Sequence, residues 1–160
     1  MMLESERLLL REFAESDWEA VLSYQSDPMY LQYYRWTHRT ARDVQSFLQA
    51  FIDQQQERPR HSFQFAVILR AGDELIGNGG IRKSTPSERQ AEIGFEFAPR
   101  HWGCGYATES AGLLLAFGFE MTNMTLHHDD VAHIFIQDDI LGHYLGRFGV
   151  GKLHLYTQNA

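Results

Sequence analysis

The sequence predicts an α/β fold, with a central sheet covered by helices on both faces. Three observations carry this. Residues 91–97 alternate apolar and polar, the period of a half-buried strand. Apolar residues recur at helical spacing over 40–56 and again beyond residue 108. Strand and helix patterns interleave along all 160 residues with no repeat, linker or low-complexity tract, so a single domain spanning 1–160 is expected.

Leu8, Leu9 and Leu10, after Glu6 and Arg7, read as a short buried strand. Glu15, Ser16 and Asp17 offer capping groups to a helix through Trp18, Val21, Leu22 and Tyr24, which Asp27-Pro28 stops. Tyr30, Tyr33, Tyr34 and Trp36 form an aromatic cluster. A second helix runs from about Thr40 to about Gln56, with Val44, Phe47, Leu48, Phe51 and Ile52 on one face.

Residues 63–69 and 74–81 make a hairpin around Ala71-Gly72-Asp73, and Gly77, Gly79 and Gly80 permit close approach of another backbone. After a polar turn at 84–89, the strand at 91–97 points Ala91, Ile93, Phe95 and Phe97 one way. Glu92, Gly94 and Glu96 point the other. A helix over 108–119, a short strand at 121–126, a helix over about 129–147 and a last strand at 152–157 complete the order.

Composition excludes several function classes. A formal net charge of −7 argues against binding along a nucleic-acid backbone and is compatible with a cationic acceptor such as an amine. The longest apolar runs are too short to span a bilayer, and the first residues lack the pattern of a signal peptide. One cysteine, Cys104, excludes an internal disulfide and fits a reducing cytoplasm. His127, His128, His133, His143 and His154 cluster with aspartates, but no His-x-x-x-His pair occurs, and no metal site is expected.

The segment Arg100-His101-Trp102-Gly103-Cys104-Gly105-Tyr106-Ala107 sits between a strand and a helix. Its glycines remove side chains where backbone must approach a ligand, and the first amides of a helix lack internal partners. A pyrophosphate suits such a turn, Arg100 can add charge, and small Ala107 and Thr108 keep the helix start clear. A dinucleotide-binding turn of the Rossmann type competes, but its third glycine would fall at Thr108.

The string Arg-x-x-Gly-x-Gly-x-Ala after Ala91-Glu92-Ile93-Gly94-Phe95 resembles the core motif of the GNAT acetyltransferase family. The likeness extends to its branch that acetylates ribosomal-protein N-termini (RimJ/RimL-like). Members of that branch share a start like Glu4-Ser5-Glu6-Arg7-Leu8-Leu9-Leu10-Arg11 and a downstream Asp17. They also share Asp27-Pro28, a Leu-Ile-Gly-x-x-Gly strand at 75–80, and Trp-Gly-x-Gly-Tyr-Ala-Thr-Glu at 102–109. The likeness covers about residues 3–119.

That resemblance implies a mixed sheet with a splayed strand pair and acetyl-CoA as the donor. The thioester would lie near Phe97, pantetheine along Phe97 and Ala98, and the pyrophosphate on the amides of Trp102, Gly103, Cys104, Gly105, Tyr106 and Ala107. Direct attack by an uncharged amine needs a proton acceptor, and Glu92 and Glu96 are the candidates. The acceptor is expected to be a protein N-terminal α-amine. A small amine, such as a polyamine or amino sugar, is the alternative, and a catalytically weakened acyl-CoA-binding module is a third reading. Residues 30–36 would line the acceptor side. Cys104 sits at a helix start that lowers thiol pKa, but the family transfers acetyl directly.

The C-terminal part, 119–160, is atypical for the family. Leu145-Gly146-Arg147-Phe148-Gly149-Val150 can be placed on the family's helix ending, which puts Asp138 and Leu141 where Asn and Ser are expected. Some other branches of the family have a tyrosine at the place of Leu145 as acid for the leaving thiolate, and Tyr144, the candidate here, falls one position away. A competing register starts that motif at Gln158-Asn159-Ala160, as a truncated or altered end would. A missing hairpin would leave an open sheet edge and favour a homodimer through this part.

Overall fold

The computed structural model describes residues 1–83 and 90–122, together with strands at 133–136 and 151–156. Strands β1 (Met2–Glu4), β2 (Leu8–Glu12), β3 (Ser62–Leu69), β4 (Glu74–Arg82), β5 (Gln90–Phe97), β6 (His133–Ile136) and β7 (Gly151–Tyr156) form one sheet. Its order is β1-β2-β3-β4-β5-β7-β6. Helices are α1 (Trp18–Gln25), α2 (Pro28–Leu31), α3 (Ala41–Gln54) and α4 (Tyr106–Thr122), with 3₁₀ turns at Glu15–Asp17 and Pro99–His101.

The period-two alternation of β3 builds both faces at once. Phe65 and Val67 join Leu8, Leu10, Ile93 and Phe97 beneath Leu114 and Phe117 of α4. Ala66 and Ile68 face the other way, onto Val21 and Tyr24 of α1 and Val44 and Leu48 of α3. Helices therefore cover both faces, as expected.

The N-terminal motif has a local cause. Arg11 of β2 holds Asp17 with two 2.8 Å hydrogen bonds, and Asp17 accepts from the Ala14 N–H at 2.8 Å. The strand is thereby fixed to the start of α1 by a bidentate pair. Thr40 caps α3 in a reciprocal box: its Oγ1 accepts from the Asp43 N–H at 3.2 Å, and Asp43 Oδ2 accepts from the Thr40 N–H at 2.8 Å. Asp27-Pro28 ends α1 and also opens α2, with Asp27 Oδ1 accepting from the Met29 N–H at 2.8 Å.

Several expectations change. Every described strand pair is antiparallel, where a mixed sheet was expected. The strand after α4 does run in the direction of β5, but β7 lies between the two, so no parallel pair forms among the described residues. The expected helix over 129–147 contains β6 instead. A four-residue run, His-Ile-Phe-Ile, fits either period, and its β-branched and aromatic content suits a sheet edge.

Helix α4 starts at Tyr106 and extends to Thr122, into the strand expected at 121–126. Strand β1 was not foreseen in three residues with little pattern. The expected turn at 84–89, the histidine-rich stretch at 127–130 and Tyr144 lie outside the described residues. No helix of the described residues is long and apolar enough to cross a membrane.

Candidate active site

The end of β5 is held tightly on one side. The β4 register slips where Val67 faces Gly77 and Ile68 faces Leu75, leaving Ile76 as a bulge whose carbonyl accepts from the Ala98 N–H at 2.8 Å. A Cβ on Gly77 would lie 2.8 Å from Phe97 Cδ1 and 2.9 Å from Phe97 Cα, so only glycine allows this approach.

Antiparallel alternation then turns the main-chain groups of Phe97 toward the opposite edge. There the Phe97 carbonyl accepts from Trp102 Nε1 at 2.7 Å. The described pairing of β5 with β7 ends at Phe95 opposite Gly151, two residues short of Phe97.

The loop that follows needs glycine at two positions for its backbone conformation. Gly103 and Gly105 have φ of 75° and 80°, in the left-handed region that favours glycine. Residues 103–105 are exposed. The Glu109 N–H donates to the Gly105 carbonyl at 3.1 Å, closing the first turn of α4. The amides of Tyr106, Ala107 and Thr108 precede that bond and have no acceptor within the helix. They stand at the positive end of the helix dipole, as an anion site requires.

The cation at this loop differs from the one expected. Arg100 pairs with Glu74 of β4, and His101 Nε2 lies 3.2 Å from the same oxygen. The Arg100 hydrogen bond holds the Glu74 carboxyl below the usual carboxylate range. Arg7 instead reaches the loop, donating to the Cys104 carbonyl at 3.0 Å. Arg7 belongs to the N-terminal motif at 4–11, with no role evident from the sequence alone. The available signal was its opposite charge to Glu109, the last residue of the Trp-Gly-x-Gly-Tyr-Ala-Thr-Glu string at 102–109.

Glu96 faces α1 and α2, and it is buried at 8% exposure. Its Oε1 accepts from Tyr24 Oη and Gln25 Nε2, both at 2.8 Å, and from Asn78 Nδ2 at 2.6 Å. Its Oε2 accepts from Tyr30 Oη and from Tyr34 Oη at 3.0 Å. Five neutral donors converge on one carboxylate, which has about four lone-pair directions, so none is left open. Alternation placed Glu96 on the correct face, but that face is covered by aromatic residues rather than open.

Glu92, on the same face further back, stands 3.7 Å from Arg82 directly across the sheet. It is five residues from Phe97, about 16 Å along a strand. The two candidate carboxylates therefore occupy different surroundings and are not brought together.

The aromatic segment rests on this buried carboxylate. Tyr30 stacks on Tyr34 at 4.4 Å and Tyr34 on Trp36 at 4.5 Å, while Tyr33 meets Trp102 edge-on at 5.7 Å. The expected acceptor wall is thus joined to the loop through Trp102. Burial, and next the Glu96 charge, raise the phenol pKa of Tyr24, Tyr30 and Tyr34 above the ordinary value.

A raised phenol pKa stabilises the fold below the ordinary tyrosine value of about 10, and this contribution is lost as pH rises above it. In an alkaline titration followed by phenolate absorbance, three of the seven tyrosines are expected to ionise only as the chain unfolds. Normal titration of all seven in the folded protein, checked by circular dichroism, would contradict the cluster.

Comparison with known proteins agrees with this geometry. Residues 7–138 match the acetyltransferase (GNAT) domain family. The chain is 35% identical to the uncharacterized N-acetyltransferase YnaD of Bacillus subtilis, over 78% of this chain and 69% of that protein. It shares the fold of the Salmonella typhimurium acetyltransferase that modifies the N-terminal serine of ribosomal protein L7/L12. That match has a TM-score of 0.67 and 13% identity over 100% of this chain and 99% of that one.

It shares the fold also with spermidine N-acetyltransferase from Vibrio cholerae, solved with CoA and spermine. Here the TM-score is 0.61, with 16% identity over 96% of this chain and 97% of that one. An α/β sheet, a left-handed double-glycine loop at the start of α4 and a family match over most of the chain lead to one conclusion: this protein belongs to the GNAT family of acetyl-CoA-dependent N-acetyltransferases.

Proposed function

We propose that this chain acetylates the N-terminal α-amine of a protein, as a member of the RimJ/RimL-like branch. The observation that carries the reading is the aromatic segment joined to the loop through Tyr33 and Trp102. Together with Tyr34 and Trp36 it forms a wall suited to an extended peptide segment. The pairing of Arg7 with Glu109 and of Arg11 with Asp17 gives the branch's sequence pattern a structural purpose here.

The loop residues fit the cofactor. Amides of Gly103 through Ala107 would hold the pyrophosphate, and the edge of Phe97 and Ala98 would carry the pantetheine; the Trp102 N–H, also expected there, instead donates to the Pro99 carbonyl at 3.1 Å. Acetyl-CoA supplies the activated acetyl thioester. Attack forms an N–C bond and breaks the S–C bond, so one proton leaves the amine and the thiolate gains one. Glu92 is assigned as proton acceptor, and its distance from Phe97 requires a water chain. Glu96, with its lone pairs occupied, positions the acceptor wall. Arg100 contributes charge at the loop only on leaving Glu74.

Incubation with acetyl-CoA should acetylate a peptide bearing a free α-amine and release free CoA thiol. A matched peptide blocked at its α-amine should be inert. A second reading, small-amine transfer, is favoured by the net charge of −7. Turnover of spermidine with no peptide turnover would establish it, and CoA binding with no turnover would establish the binding module. Strand β6 is one of the two outer strands of the described sheet, which supports the pairing of a second copy there.

A further inference from the structure

The Glu4-Ser5-Glu6-Arg7 segment has no part in the cofactor reading, yet it ends on the loop. Arg7 Nε donates to Glu109 Oε2 at 2.7 Å, with Nη2 2.5 Å from the same oxygen. Ser5 Oγ and the Arg7 N–H both donate to Glu109 Oε1, at 2.7 Å and 3.2 Å. Arg7 Nη1 donates to the Cys104 carbonyl at 3.0 Å, and the guanidinium carbon lies 4.6 Å from the centre of the Tyr106 ring. One planar cation thus spans the loop, the first residue of α4 and the carboxylate one turn into the helix.

Two consequences follow from elementary geometry and charge. The Cys104 carbonyl and the Gly105 N–H belong to one trans peptide unit and point in opposite directions. Fixing the carbonyl on Arg7 therefore fixes the direction of the Gly105 amide. Glu109, alone, suits a helix start, but beside a loop that takes a pyrophosphate its charge opposes the ligand. The Arg7 fork neutralises it at the point of closest approach. The Glu109 carboxyl is held below the usual carboxylate range: burial opposes this, and the Ser5 and Arg7 hydrogen bonds outweigh it.

We propose that Arg7 is a positioning residue of the acetyl-CoA loop, orienting the Gly105 amide and cancelling the charge of Glu109. The proposal rests on the cofactor reading above. Arg7 is largely exposed, so its ion pair adds little to stability and its effect should appear in binding.

The test is coenzyme A affinity by calorimetry for the wild type, Arg7→Ala, Glu109→Gln and the double variant. Arg7→Ala is expected to weaken binding about tenfold with little change in melting temperature, because a carboxylate without its cation and an unfixed amide remain. The double variant should recover part of that loss, since the opposing charge is gone. Alkylation of Cys104 in the free protein should be faster in Arg7→Ala.

Wild-type affinity in Arg7→Ala, or a double variant weaker than Arg7→Ala, overturns the proposal and leaves the cofactor reading standing. Failure of the wild type to bind coenzyme A overturns the reading itself. Should Arg7→Ala lose its circular-dichroism spectrum, Arg7→Lys decides. It keeps the charge but not the fork, and weaker binding at native spectrum supports the proposal, whereas unchanged binding ends it.

Discussion

Gly105→Val is expected to weaken coenzyme A binding about a hundredfold. Gly105 has φ of 80°, and a β-branched residue there is a strong outlier. Holding it in place costs roughly 2–3 kcal/mol, and each 1.4 kcal/mol is a factor of about ten in affinity. The loop escapes this strain only by turning φ negative, which re-aims the amides that precede the first bond of α4. Coenzyme A binding must then restore the strained φ, which is how the strain reaches the affinity, and the same strain limits the loss of stability to about 3 kcal/mol.

Gly112→Ala is the matched control. A Cβ at Gly112 meets nothing within 4 Å, and the residue lies inside α4. The substitution should raise stability by about 0.5–1 kcal/mol and leave affinity unchanged. Calorimetry on both variants checks the pair. Undiminished binding by Gly105→Val would remove the basis for an amide-lined anion site.

How much of this was legible in the sequence depends on whether the signal was local. The double-glycine loop could be read because positive φ demands a residue type that is visible in one position. The alternation of β5 correctly separated Ile93 and Phe97 from Glu92 and Glu96. The surroundings of Glu96 could not be read, because they arise from Tyr24, Gln25, Tyr30, Tyr34 and Asn78 on four different segments.

The Arg7–Glu109 bond spans about a hundred residues and leaves no trace in periodicity. The commitment of Arg100 to Glu74 likewise depends on β4 lying beside the loop. At 133–136 the run was too short for its period to distinguish strand from helix, and the neighbouring strand decided the matter.

The buried carboxylate gives the second large effect. Glu96→Ala should cost about 4 kcal/mol, because donors on Tyr24, Gln25, Tyr30 and Asn78, all 3% exposed or less, lose their acceptor. For a chain of this length that corresponds to a fall of roughly 10 °C in melting temperature. Glu96→Gln should cost only about 1–2 kcal/mol. Its carbonyl can keep the Oε1 partners, and the Tyr30 and Tyr34 hydroxyls can turn to accept from the new amide.

The functional consequence is separable from the stability loss. Glu96 precedes Phe97 in β5 and also holds Tyr30 and Tyr34, so its charge fixes the aromatic segment proposed as the acceptor wall at the end of the strand that is proposed to bind the thioester. The loop is secured elsewhere, by the Trp102 bond to Phe97 and the Arg7 bond to Cys104. Glu96→Gln should therefore raise the KM for the amine severalfold at nearly constant affinity for coenzyme A. A proton-transfer role for Glu96 would instead depress kcat and shift its pH profile without moving the amine KM. Measuring both constants across pH separates positioning from proton transfer, and a carboxylate already holding five donors predicts positioning.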